Sequence, residues 1–169
     1  MKKQIPTEQT EANIQEVLRL LSETPVQLEK LSKGSSEERL RKPLGAGERS
    51  FVEALAHLLN CEARTAEAIQ LALMRSEPLI PDIHPERDLG KLLRYDQLPF
   101  DELLAYFKFR RAVLLKVLSS LKESQWSRAV REEGKQRKES VYWRARGQAL
   151  HELEHIQYLE RKLMESRNP

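Results

Sequence analysis

The chain has one cysteine, Cys61, among its 169 residues. That excludes a disulfide framework and suits a reducing compartment. No stretch approaches the roughly 18 consecutive apolar residues of a membrane span, and the basic start, MKKQIPTEQTEANIQE, lacks the apolar region of a signal peptide. A cytoplasmic protein without membrane contact is therefore expected. No segment alternates with the period of a strand, and there is no tandem repeat or low-complexity tract. Charge of one sign is also lacking: 29 basic residues against 26 acidic leave only +3, interspersed along the chain, so no nucleic-acid partner is expected. The one basic concentration, Arg128 to Arg146 with Tyr142 and Trp143 nearby, has the composition of a phosphate-binding patch. Glu132, Glu133 and Glu139 interrupt it, and a solvated loop running into a helix is the preferred reading.

What is present is helical period. The length suits a single domain spanning 1–169, with a core over about 7–165 and roughly 68–70% of the unfolded surface buried. A first helix is predicted from about Thr7 to Glu23, with Ile14, Val17, Leu18 and Leu21 on one stripe. Thr24-Pro25 reads as a new start, opening a short helix from Val26 to Leu31. Ser50 and Glu53 form a capping-box pattern that opens a long helix to about Arg75. Pro78, Pro81, Pro85 and Pro99 mark a long crossover. A third long helix from about Phe100 to Lys122 carries Leu104, Phe107, Leu114, Leu118 and Leu121, interrupted by Arg111 where another apolar residue belongs. The last helix runs from about Ser140 to Glu165. These elements predict an all-α four-helix bundle with a long crossover connection.

Three of the four histidines are placed to meet. His151 and His155, in HELEH, lie one helical turn apart and so share a face; His57 lies in another apolar helix. A facial set of three imidazoles suits a divalent metal with coordination positions left open. Alone, His57 among Leu55, Ala56, Leu58 and Leu59 would suit the core equally well, and the pair alone would suit a helix surface. Gly147 lies one turn before His151 and Tyr158 nearly one turn after His155. Glycine inside a helix costs about 1 kcal/mol relative to alanine; space for a ligand above His151 and close helix packing are both reasons to keep it. HELEH also matches HExxH, which would make Glu152 the base of a zinc protease. That reading is set aside, because Tyr158 and Arg161 stand where the extended motif needs glycine and histidine. Cys61, four residues after His57, is a possible fourth ligand or redox partner but reads first as a packed thiol. His84, in IPDIHPERD, reads as an exposed loop residue or a lid.

The segments FVEALAHLLNCE, FKFRRAVLLKVLSSLKESQW and ALHELEHIQYLERKL, in that order with a proline-rich connection between the first two, resemble the DinB/YfiT-like superfamily of metal-dependent proteins, which is distinct from the DNA polymerase sharing the DinB name. The resemblance covers about residues 14–164. It implies a four-helix bundle with a crossover and a metal triad carried onto His57, His151 and His155. The family often has an acid where this chain has Asn60, and Arg111 matches an arginine common before the tryptophan matched by Trp126. For Arg111 a buried ion pair is preferred over substrate binding.

Relatives in that superfamily include S-transferases and isomerases that use low-molecular-weight thiols such as bacillithiol or mycothiol. The leading expectation is therefore a divalent-metal-dependent enzyme acting on a small molecule, of thiol-transfer or detoxification type, with zinc or nickel placed first among metals. Candidate catalytic residues are Glu152, Glu154, Tyr158 and Arg111, and Arg144 and Arg146 are candidates for an anionic group. A metal-dependent hydrolase, with Glu152 or Glu154 assisting, is the second reading. A non-catalytic, stress-associated metal-binding or interaction module is the third. The resemblance also implies a homodimer.

Overall fold

The computed structural model describes residues 5–165. Seven helices follow in order: α1 (Glu11–Ser32), α2 (Glu37–Arg41), α3 (Phe51–Met74), α4 (Lys91–Leu93), α5 (Phe100–Ser119), α6 (Glu123–Trp126) and α7 (Val141–Glu165). The four long ones, α1, α3, α5 and α7, form a four-helix bundle. In it α7 packs on both α1 and α3, and α5 packs on α1. The segment between α3 and α5 is the expected crossover, and it carries a π-helical turn at Pro85–Gly90. No helix among the described residues is long and apolar enough to cross a membrane.

Helix starts follow their local chemistry. The Thr10 side chain accepts from the Asn13 N–H and opens α1. Ser50 and Glu53 make the reciprocal capping box that opens α3, satisfying two backbone donors at once. The predicted break at Pro25 is not there, for α1 runs through it to Ser32. Proline has no N–H for the carbonyl four residues back, here that of Leu21, and an unpaired carbonyl inside a bundle is costly. Arg111 of α5 supplies the missing donor, its Nη1 lying 2.7 Å from the Leu21 oxygen. Two misfits of the sequence, a proline in α1 and an arginine in the apolar stripe of α5, thus resolve each other.

The rest of that guanidinium is an ion-pair node. Arg111 Nη1 lies 2.9 Å from Glu152 Oε2, and Nη2 lies 2.5 Å from Glu152 Oε1 and 2.7 Å from Glu62 Oε2. All three side chains are 1% exposed or less. The node sits at the waist of the core. On one side are Leu21, Ile69, Leu114, Leu118, Tyr142 and Ala149; on the other are Leu28, Leu55, Leu59, Phe107, Ile156 and Leu159. Every long helix contributes to both halves, and the polar layer lies where each passes from one to the other.

Contrary to the expectation of no strands, three short ones pair: β1 (Leu79–Ile80) is parallel to β2 (Ala129–Glu132), which is antiparallel to β3 (Glu139–Ser140). Two-residue strands are too short to show alternation. In β2 the alternation buries Val130 and Glu132, and Glu132 is an acid paired with Arg144 rather than an apolar residue. The hairpin turns at Gly134, whose φ of 77° is one that only glycine adopts without strain.

Removing one member of a buried ion pair strands the other charges, typically at 3–5 kcal/mol, whereas replacing all of them by apolar residues is often neutral. The R111M variant should lose about 3–5 kcal/mol in urea unfolding, and R111M/E62M/E152M should recover the share due to the stranded carboxylates, the Leu21 carbonyl staying unpaired in both. Equal stability of the two variants would rule out charge stranding as the cause.

Candidate metal centre

His57 occupies the second turn of α3, and His151 and His155 are on the facing side of α7. Nε2 of His57 lies 3.2 Å from Nε2 of His151, which in turn is 3.1 Å from Nε2 of His155. The three rings crowd at centroid separations of 4.6 to 5.1 Å. A tetrahedral ion with metal–nitrogen bonds of 2.0–2.1 Å holds its ligands about 3.3 Å apart. The two edges that meet at His151 are close to that length, and with Cys61 also near His57 and His151 the donors are of a kind and spacing that suit a divalent ion.

Protonation favours the same use. Nδ1 of His57 is 2.7 Å from Oε1 of Glu86. A carboxylate can only accept, so Nδ1 is the donor in this contact, which leaves Nε2, the nitrogen turned toward the other two rings, as the one that can serve as a ligand. Burial lowers His151, and the neighbouring His57 lowers it further. Burial also depresses His155, from 6.5 to about 4, with His151 and His57 adding to the effect. Both imidazoles are neutral at pH 7 and available as ligands. Burial raises Glu86, but the hydrogen bond to His57 and the nearby Arg49 more than offset it and hold the carboxyl below its usual range.

Glu86 is the residue that sequence reasoning missed. The crossover delivers it: the side chain of His84 accepts from the N–H groups of Glu86 and Arg87 and caps the π-helical turn. His84 is thus a cap rather than a lid. Gly90 lets this turn approach α3, because a Cβ there would come within 3.2 Å of the Asn60 amide nitrogen. Asn60 also hydrogen-bonds Glu86. Asn60, where the family resemblance often implies an acid, was the available signal, since it invites a search for a carboxylate from elsewhere.

The other candidates divide. Glu152, next to His151 in sequence, is turned to the core, fully buried against Arg111 and accepting from Gln148. It is a structural anchor, and its assignment as a base is corrected accordingly. Arg111 is likewise committed to the core and not to substrate. Glu154 is exposed, and its charge acts to raise both α7 histidines. The Tyr158 hydroxyl is engaged with Glu48, and both burial and that bond raise its pKa. Cys61 Sγ is 3.7 Å and 3.9 Å from the two nitrogens of His57. Near-equal distances place the thiol against the ring rather than along the Nε2 lone pair. It still lies within 4.8 Å of the His57 and His151 donors. Burial, with the charges of Glu86 and Glu152, raises it to about 12, so it is a neutral thiol. Arg146 donates to the carbonyls of Ile5 and Pro6, and Arg144 is paired with Glu132 and Glu139.

Two cavities flank the cluster. One, about 320 Å³, reaches the back of His57 beside Glu86 and Asn60. The larger, about 500 Å³, reaches His151 and Cys61 and extends past Gly147 to the β2–β3 hairpin. A Cβ at Gly147 would meet nothing within 4 Å, so of the two reasons for that glycine, space applies and helix packing does not.

The profile of the DinB superfamily matches residues 9–159. Among curated proteins none matches the chain significantly. YfiT from Bacillus subtilis, described as a probable metal-dependent hydrolase with an unusual four-helix bundle topology, superposes with a TM-score of 0.81. The two share 14% identity over 95% of this chain and 91% of that one, a likeness of fold.

Two outcomes follow from this geometry. In metal-free protein His155 is depressed below its unfolded value, so the unfolded chain binds the extra proton between pH 6.5 and about 4. Stability should then fall as pH drops through that window, and H155Q should flatten the slope in denaturant titrations at successive pH values. G147A should stabilise α7 by about 0.5–1 kcal/mol, read from urea midpoints, because the methyl enters open space.

Proposed function

Because the chain belongs to the DinB superfamily, we propose that it is a divalent-metal-dependent enzyme acting on small molecules, with His57, His151 and His155 as the metal ligands. The observation that carries this reading is the set of Nε2 atoms spaced at 3.1 and 3.2 Å, close to the edge of a tetrahedral coordination sphere. When bound, a divalent ion at neutral imidazoles supplies Lewis acidity, enough to bring the pKa of a coordinated water toward about 7 and to ionise a thiol.

The finer reading is thiol transfer, in which the sulfur of a low-molecular-weight thiol would form a bond to an electrophilic carbon as that carbon's leaving group departs with its electron pair and the thiol proton passes to solvent. What supports it over hydrolysis is the commitment of the nearby carboxylates. Glu152 is locked to Arg111, and Glu86 is bonded to the far nitrogen of His57. Thiolate attack needs no general base once the thiol is ionised, whereas water attack gains from one. Glu86 acts through His57: it fixes the tautomer and ring orientation, as carboxylates behind ligand histidines do. Zinc and nickel remain the first choices, since three imidazoles with open positions suit either. Hydrolysis is the second reading, favoured by the description of YfiT.

H155A should remain a folded helical bundle by circular dichroism and lose stoichiometric metal by elemental analysis. Retained metal would refute the ligand assignment. E86Q should bind metal about 10–100-fold more weakly. In metal-loaded wild-type protein, turnover of electrophiles that requires added thiol supports transfer; cleavage of esters or amides without thiol supports hydrolysis.

A further inference from the structure

We propose that the cavity beside Gly147 binds a small organic anion, its charge held by Lys135 and Arg137 beside the Trp143 ring and its other end at the histidine cluster. The proposal rests on the metal reading above only for what that other end meets.

Along α7, Trp143, Gly147, His151 and His155 follow at intervals of four, which sets them in one row on the helix face. The row reads as an aromatic plate, a gap and two imidazoles. Trp143, Gly147 and His151 all line the 500 Å³ cavity, whose size lies within the 300–1,000 Å³ of small-molecule sites. Gly147 is exposed, and its missing side chain leaves the middle of the row open. A molecule lying along the row would span from the tryptophan to the cluster.

The opposing wall determines its charge. Glu132 and Glu139 are buried, yet between them they serve four cations. Glu132 is paired with Arg144, with Lys135 at 3.2 Å and with Arg64 at 3.8 Å. Glu139 is paired with Arg144 at 2.7 Å, Lys135 at 3.2 Å and Arg137 at 3.6 Å. The remaining acid on the lining, Asp82, is exposed. Arg64 is buried and Arg144 only 11% exposed, and they fix the wall, whereas the side chains of Lys135 and Arg137 are 43% and 62% exposed and reachable from solvent. The Arg137 guanidinium lies 4.3 Å from the Trp143 ring centroid. Arg64 is matched by Glu67 at 3.0 Å, but at the Trp143 end three cations, Lys135, Arg137 and Arg144, meet only Glu132 and Glu139, and that excess beside an aromatic face selects an anion carried on an organic body.

The test uses cobalt(II)-loaded protein titrated with acetohydroxamate and with succinate monohydroxamate, which differ by one carboxylate; binding is read from the visible absorption of the metal. Succinate monohydroxamate should bind at least about tenfold more tightly. In K135Q/R137Q that preference should disappear while acetohydroxamate binding is unchanged, and G147L should weaken the larger ligand. Equal affinities in wild type would overturn the proposal and leave the metal site standing. If the protein takes up no cobalt, the metal reading fails, and the cavity is then judged on metal-free W126F, where Trp143 is the sole tryptophan. Quenching of its fluorescence by succinate, absent after K135Q/R137Q, would sustain the anion site, and no quenching would sink it.

Discussion

One guanidinium holds the four long helices in register. Arg111 projects from α5 to the Leu21 carbonyl of α1, Glu62 of α3 and Glu152 of α7. Buried charge is weak evidence of added stability, because the desolvation of three ions offsets much of their attraction. Its effect is directional instead. Apolar side chains slide past one another at little cost, but a planar fork with three fixed acceptors tolerates neither rotation nor a shift of one turn. The apolar halves on either side supply the driving force for burial, and the node decides which residues meet across the waist.

That choice places the histidines. Gln148 and Glu152 point inward from α7, joined to each other and, through Thr65, to α3. Gly147, His151 and His155 then occupy an adjoining face. His57 and Cys61 sit on α3 just before Glu62, which the same arginine anchors. The α3 and α7 sides of the cluster are therefore referenced to one interior point, and the 3.2 Å approach of His57 to His151 is the contact between them. The third support is of a different kind. Glu86 comes from a short turn in the crossover, held by the cap from His84 and the close approach of Gly90 to Asn60.

Much of this was legible in the residues. Helical period, the Ser50–Glu53 box and the proline-rich crossover gave four long helices in the right places, because each of these signals is local. The HELEH spacing placed two imidazoles on one face for the same reason, and the family resemblance named the third. What escaped the sequence depends on contacts between distant segments. Pro25 looked like a helix start because the donor that compensates it lies 86 residues away in Arg111. Glu152 looked like a base because HELEH matches HExxH, and only the rotation of α7 reveals that it faces the core. Glu86 gave no periodic signal at all, since a lone acid in a loop is indistinguishable from solvated charge until the loop is folded.

The pairing of Pro25 with Arg111 also orders the routes by which the sequence can drift. If Pro25 changes first, the new residue brings an N–H that competes for the Leu21 carbonyl, and the arginine keeps both carboxylates. If Arg111 changes first, the carbonyl and two buried acids lose their partner in a single step, and no one further substitution repairs all three. The proline is thus the position through which the bundle can leave this arrangement, and the arginine is the position at which it is trapped.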